Sequence, residues 1–231
     1  MRSTGDASRA AVSHTVKNTP DMAPKKYLFF SGRVHCCNSA VRLVLRILRM
    51  ATGDGLKIVS GGQIGADIAA LRAARRLGLA TGGFAPAGFM TAHGPNPQLA
   101  EFGLAPVRGG SLAQQYVRRS TMNVDAADAT LAIRLEASRG TDCTIGYAVC
   151  GRWAACADLA PGVAAEPATA HRPVLVVQTL CESAAAPAIR EFLHRHRVRT
   201  LNVCGHRAYN RVPNYESAVE HLLFRALSEY A

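Results

Sequence analysis

Lys57 to Asp67, KIVSGGQIGAD, reads as a short strand running into a glycine-rich loop that opens a helix. Ile58 and Val59 make the apolar run, Gly61, Gly62 and Gly65 supply the loop, and Ile64, Ile68 and Leu71 then recur at helical spacing. A loop of this kind aims backbone N–H groups and the positive end of a helix dipole at one point, a ready position for an anion. The stretch is neither the dinucleotide fingerprint GxGxxG nor a P-loop, because no Gly-Lys-Ser/Thr follows. A plain strand-to-helix turn is the alternative reading of such a loop.

Working outward, the helix runs from Gln63 to Leu77 and stops at Gly78, and Ala80 to Pro86 forms the next strand before a Gly/Pro-dense loop, Ala87 to Pro97. Upstream, Tyr27 to Phe30 reads as a strand, and Asn38 or Ser39 caps a helix with Val41, Val44, Leu45 and Leu48 on one side. Downstream come a helix over Ser111 to Asn123, a strand over Ala129 to Ile133, and a turn at Gly140-Thr141 into a helix reaching about Trp153. Strands at Pro173 to Val177 and Thr200 to Val203, with helices near Ala186 to His196 and Tyr215 to Tyr230, complete the alternation. Such alternation predicts an α/β fold, doubly wound, with a mostly parallel sheet and helices on both faces. Residues 1–26 read as a disordered tail, 27–231 as one Rossmann-like domain, and about 154–170, rich in Ala, Pro and Gly, as a flexible insert.

The 231 residues are 48% hydrophobic, enough for a substantial core, and carry a net charge of +11. That balance suits an acidic ligand, a nucleic acid or a self-associating basic surface. Aromatics are only 6%, without basic–aromatic interleaving, which counts against a nucleic-acid platform. No apolar run approaches the ~20 residues of a membrane span, and the start lacks the apolar core of a secretory signal. Seven cysteines without a CxxC pair read as reduced thiols of a cytoplasmic protein, with no zinc spacing. A weak organellar presequence is the alternative, opposed by Asp6 and Asp21.

In open parallel sheets the ligand crevice lies beyond the carboxyl ends of the strands. The strand tips here present Ser60, Gly61, Gly62, Gln63 and Gly65, then Gly140, Thr141 and Thr144, then Gly205-His206-Arg207. Two glycine-bearing turns in one sheet predict a shared anion site. Asp67 has the alternative role of favouring its own helix dipole, and Thr141 and Thr144 that of capping theirs. His206 reads as a hydrogen-bonded surface histidine. No triad or paired-acid spacing appears, so no catalytic residue is assigned.

The segments SGGQIGADIAALRAARRLG, GGFAPAGFMTAHGPNP, YVRRSTMNVDAADATLAI, RGTDCTIGYAV, RPVLVV and LNVCGHRAYNRVPNY resemble the molybdenum-carrier family. Its members are similar to the molybdenum-cofactor carrier proteins of green algae and cyanobacteria, in the Rossmann-like superfamily that includes the lysine-decarboxylase-named phosphoribohydrolases. The resemblance covers about Leu56 to Leu223. It implies a homo-oligomeric carrier of the phosphate-bearing pterin cofactor or of molybdate. It also implies ligand contacts by Gly61, Gly62, Gln63, Gly65 and Asp67, by Arg118 or Arg119 with Asn123 and Asp128, by Gly140, Thr141 and Thr144, and by Asn202, Gly205 and Arg207. Of the two adjacent arginines, about 100° apart on a helix, Arg119 is taken as the one facing the site.

Several positions depart from the family pattern, and three basic side chains are missing. Ile64 stands where threonine is usual, Ile68 where arginine is usual, and Ala87 and Phe89 where a lysine and an arginine are common. Losing two charge-assisted contacts of roughly 1.5–3 kcal/mol each weakens anion binding ~100-fold or more unless others compensate. Arg139, at a position where glycine is usual, returns one charge. The alternative function is a nucleoside-5′-monophosphate phosphoribohydrolase or a nucleotide-binding protein. Thr144, where those enzymes carry the glutamate that works at the ribose, counts against the enzyme.

Overall fold

The computed structural model of the protein describes residues 55–151, 172–207 and 211–231. The readings for Tyr27 to Phe30, for the helix beginning at Asn38 or Ser39, for the tail over 1–26 and for the insert over 154–170 lie outside the described residues.

Strand β1 (Lys57–Ser60) leads into helix α1 (Ala66–Leu77), then β2 (Ala80–Pro86), a hairpin of β3 (Met90–Thr91) and β4 (Gly94–Pro95), and β5 (Leu104–Val107). Helix α2 (Leu112–Asp125) precedes β6 (Ala129–Ile133), α3 (Arg139–Cys150), β7 (Val174–Val177), α4 (Glu182–Arg195), β8 (Thr200–Gly205) and α5 (Tyr215–Leu227). The β1, β2 and β6 bounds coincide with the sequence reading; α4 begins earlier, at Glu182, and carries Pro187 inside it, where the bond to the Ser183 carbonyl is lacking.

Six strands form one sheet in the order β5-β2-β1-β8-β6-β7, every pairing parallel. Lys57 is in register with Ala80 on one side and Thr200 on the other, so β1 is central. The last strand therefore enters between the first and the sixth. Counted from β8 through β1, β2, β5, β6 and β7, the sheet order becomes 4-3-2-1-5-6, a plain doubly wound order with one reversal, between β8 and β6. Moving the final strand–helix unit to the front would restore that simple winding.

Right-handed crossovers put α1, α4 and α5 on one face and α2 with α3 on the other. The larger core forms on the first face. Ala66, Ala69, Ala70, Ala73 and Ala74 of α1 are small enough to let α5 approach, with Leu222, Leu223, Ile189 and Leu193 filling the layer over Ile58, Leu131 and Leu201. On the second face Val124 of α2 packs on Tyr147 and Ala148 of α3. A separate cluster, Ile68, Leu71, Ala85, Leu99, Phe102 and Leu104, takes in Phe89 beside the hairpin.

Caps follow from local chemistry. Gly78 adopts the left-handed conformation (φ 68°) and donates to Ala74 and Arg75, ending α1 as expected. Ser111 and Gln114 form a capping box that starts α2. The arginines of α1 face partners rather than open solvent: Arg72 pairs with Glu216, Arg76 with Glu220 at 2.8 Å, and Arg75 with Glu101 at 3.2 Å. Among the described residues no helix is long and apolar enough to cross a membrane. Cys150, Cys181 and Cys204 are free thiols, whereas Cys143 is disulfide-bonded, which corrects the expectation of uniformly reduced cysteines.

Candidate functional site

The reversal between β8 and β6 opens a crevice at the carboxyl ends of the strands, and a cavity of about 500 Å³ occupies it. Of the anticipated residues, Asp67, Arg119, Asn123, Gly140, Thr144, Asn202 and Arg207 line this space. Gly62 and Gly65 line a neighbouring cavity instead, again with Arg207. Ser60, Gly61, Gln63 and Thr141 line neither; Ser60 is buried and donates its hydroxyl to the Val203 carbonyl at 2.7 Å.

The glycine loop differs from the open amide cradle expected of it. Asp67 Oδ2 accepts the Gln63 N–H at 3.3 Å, Gln63 Oε1 accepts the Ile64 N–H at 3.1 Å, and Glu216 Oε2 accepts the Gly65 N–H at 2.9 Å. The Ala66 N–H goes to the His206 carbonyl at 3.0 Å. Amides 63–66 are thus satisfied inside the protein, by its own carboxylates in two cases, and are not on offer to a ligand. Gly65 holds φ +88°, and a Cβ there would sit 1.3 Å from the Arg207 carbonyl oxygen, so this turn clasps the end of β8.

Arg119 lies where a side chain on Gly61 would be: a Cβ there would fall 1.4 Å from Arg119 Nη1. The same nitrogen donates to Asp67 Oδ2 at 2.9 Å, and the two side chains are only 14% and 5% exposed. Burial pushes the Asp67 carboxyl above the usual range, opposed by the Arg119 charge and its hydrogen bond, then by the Gln63 N–H and Arg207. Arg119 Nε is buried and makes no hydrogen bond within the structure. The guanidiniums of Arg119 and Arg207 lie 5.9 and 5.6 Å from the Tyr116 ring centroid, bringing two cations to one aromatic on the cavity wall. Among the described residues Asp67 is the sole carboxylate in that wall, and Arg119 already holds it.

The second turn is arranged differently. Asp142 accepts the Ser138 N–H at 3.2 Å and pairs with Arg134. Thr141 donates to the Ser138 hydroxyl at 3.1 Å and Thr144 to the Gly140 carbonyl at 3.1 Å, so both threonines serve the start of α3. The first-turn N–H groups of Gly140 and Thr141 have no carbonyl of their own helix within reach, and Gly140 borders the cavity. Asn123 acts as a clamp: its Oδ1 accepts the Phe84 N–H at 2.8 Å and its Nδ2 donates to the Phe84 carbonyl at 3.1 Å, tying α2 to β2. Asn202 donates to Thr130 Oγ1 at 3.2 Å in the floor. Asp128 caps the entry to β8, accepting N–H groups of Arg199 and Thr200.

Tyr116, Ser138, Cys204 and His206 also line the cavity. His206 is buried rather than superficial, 7% exposed, which corrects its reading as a surface histidine. Its Nε2 accepts the N–H groups of Leu135 and Glu136 at 3.0 and 3.3 Å, so that nitrogen carries no proton, and burial lowers its pKa from 6.5. Burial raises the Cys204 thiol, with Asp67 adding to the effect. The signal that could have found these residues is the period of two through Asn202, Cys204 and His206, one side of β8 carried past its end.

A doubly wound parallel sheet with a two-arginine cavity at its reversal defines a Rossmann-like protein with a small-molecule crevice. The family model that matches the chain, over residues 58–227, is the circularly permutated YpsA SLOG family, and the chain belongs to it. Among solved structures, the chain is similar to a protein from Syntrophus aciditrophicus SB named a putative molybdenum carrier protein. The identity is 26% and the TM-score 0.56, over 74% of this chain and 93% of that one. No curated protein matches the chain.

Proposed function

We propose that this protein is a non-catalytic carrier of a small anionic molecule, the phosphate-bearing molybdenum cofactor, in the cavity at the β8–β6 reversal. The observation that carries the reading is the pair of guanidiniums at Tyr116, with the buried Nε of Arg119 left without an acceptor. A buried donor without a partner costs about 1–3 kcal/mol, and an oxyanion presented to it relieves that cost. The first-turn amide of Gly140, which borders the cavity, adds a further donor. A volume of about 500 Å³ lies in the range of small-molecule sites and is far larger than one tetrahedral oxyanion, which favours the cofactor over free molybdate. The similarity to a protein named for molybdenum carriage supports the same cargo.

Catalysis finds little support in the wall. Its one carboxylate is held by Arg119, His206 Nε2 is engaged by two amides, and the Thr144 hydroxyl is spent on Gly140. The glycosidase reading therefore lacks a group free to work at a sugar.

Isothermal titration with molybdenum cofactor, molybdate and AMP tests the proposal. The expected outcome is binding of the cofactor, weakened about ten- to a hundredfold by Arg207→Ala, as loss of one charge-assisted contact implies. Heat from none of the three would leave the chain without this function. Native mass spectrometry of the same samples reports bound mass and subunit number together.

A further inference from the structure

Five of the six side chains in His194–Arg199, HRHRVR, are basic, and all five are exposed while Val198 is buried. The stretch closes α4 and enters β8, so it lies at the amino ends of the strands, the far end of the sheet from the crevice. Lys57 joins it from β1: its N–H donates to the Arg199 carbonyl at 2.7 Å, and its side chain is exposed. Helix α4 accounts for part of this charge. His194 and Arg195 sit in its last turn, where the dipole favours cations, and Arg195 is paired with Glu191. Neither effect reaches Arg197, beyond the helix, or Lys57 on another strand. Arginines elsewhere on the surface, such as Arg76, Arg211 and Arg225, sit against Glu220, Glu136 and Glu182. Among the described residues no carboxylate pairs with Arg197 or Lys57.

The backbone supplies a second observation. Arg197 holds φ +49° just after the helix cap, and the Arg197 and Val198 N–H groups donate to the His194 and Leu193 carbonyls at 3.2 and 3.0 Å. At the matching left-handed turns after α1 and α3 the chain places glycine, Gly78 at φ 68° and Gly151 at φ 64°. A Cβ strains such a turn. An exposed, unpaired cation kept where glycine fits better points to a use outside the chain.

We infer that this end of the sheet docks an acidic segment of another protein, whose Asp and Glu carboxylates pair with Arg197, Arg199 and Lys57. The guanidinium fork matches a carboxylate with two parallel hydrogen bonds. A nucleic acid fits less well. Glu191 and Asp128 lie exposed among the cations and interrupt any continuous run of phosphates. Phe192, Leu193 and Val198 are buried, so the stretch offers no ring on which bases stack. Carboxylates spaced along a peptide, by contrast, fall between Glu191 and Asp128. A second copy of the chain offers no matching surface, because Glu101, Glu136, Glu182, Glu216 and Glu220 already hold its own arginines. Docking at this end leaves the mouth of the crevice uncovered, so partner and cargo are held together.

The test measures binding of the full chain to a fluorescein-labelled peptide alternating glutamate and glycine, to its glutamine counterpart and to a short DNA duplex by anisotropy, and to phosphatidylserine vesicles by co-sedimentation. The glutamate peptide is expected to bind and the glutamine peptide not. Arg197→Gly is expected to weaken binding about two- to fivefold, as for one exposed ion pair, while the melting temperature holds or rises, because glycine suits the left-handed turn. Adding Lys57→Gln and Arg199→Gln is expected to bring the loss to about tenfold or more. Arg225→Gln, an equal change of charge facing Glu182 at the start of α4, is expected to leave the affinity unchanged. A melting temperature lowered by Arg197→Gly would show that the side chain serves the fold. Equal losses in Arg225→Gln and Arg197→Gly would show attraction by net charge alone, and tighter binding of the duplex or the vesicles would assign the surface to a different partner. Any of these results, or no binding of the glutamate peptide, overturns the proposal.

Discussion

Arg119 is held in place by the absence of a neighbouring side chain. Gly61 leaves the room into which its guanidinium fits, and Asp67 supplies the countercharge at 2.9 Å. Because the pair is nearly dry, removing one member strands the other. Arg119→Leu is expected to destabilise the fold by about 3–5 kcal/mol, the range for an orphaned buried charge, measured as a shift in the urea midpoint. Asp67→Asn combined with Arg119→Leu is expected to cost clearly less than the two single changes summed. Additive costs would show that the two side chains do not act as a pair. Asp67 was legible as a first-turn acid, a role that needs no partner; its actual partner lies 52 residues away and follows from no local spacing.

At the scale of elements, the end of β8 is fastened to the segment after β6 by His206. Its Nε2 accepts two backbone N–H groups, an arrangement that only the neutral ring can make. The pKa is lowered from 6.5, so the unfolded chain binds the proton more readily than the folded one. By linkage, stability rises with pH between the folded value and 6.5, and is lost as the solution is acidified through that window. Melting temperatures measured from pH 7.5 down to 5 are expected to fall, with a shallower fall in His206→Gln. An identical slope in the variant would show that another group is responsible. The elements themselves were readable where the period was clear: β1, β2 and β6 run between the residues their apolar patterns marked. Strand β5 escaped notice because Leu-Ala-Pro-Val is short, and Pro106 disguises an edge strand whose missing N–H costs nothing there. The β3–β4 hairpin, at two residues a side, has too little alternation to register.

For the whole molecule, the strand order decides where the site lies. Inserting β8 between β1 and β6 brings Asn202, Cys204 and Arg207 to the mouth between the two glycine turns, so residues from both ends of the chain build one wall. A ligand that binds only the assembled crevice stabilises all of it by mass action. Molybdenum cofactor at one hundred times its Kd is expected to add about 2.7 kcal/mol, roughly 5–11 °C in Tm for a domain of this size, measured by scanning calorimetry. Absence of any shift at saturating cofactor would mean that the crevice is not where it binds.

The amino-acid sequence by itself determined the alternation of strand and helix, the helix-ending Gly78, the parallel sheet and the glycine turns at the strand tips. All of these rest on side-chain period and backbone permissiveness within a dozen residues. The tertiary structure alone decided what those turns hold. Glu216, 151 residues along the chain, takes the Gly65 amide, and Arg119 fills the hollow over Gly61, so the loop that reads as an anion cradle is closed from within. The open donors lie beside it, at Tyr116, because partners for backbone amides and buried charges are chosen by three-dimensional proximity, on which local spacing carries no information.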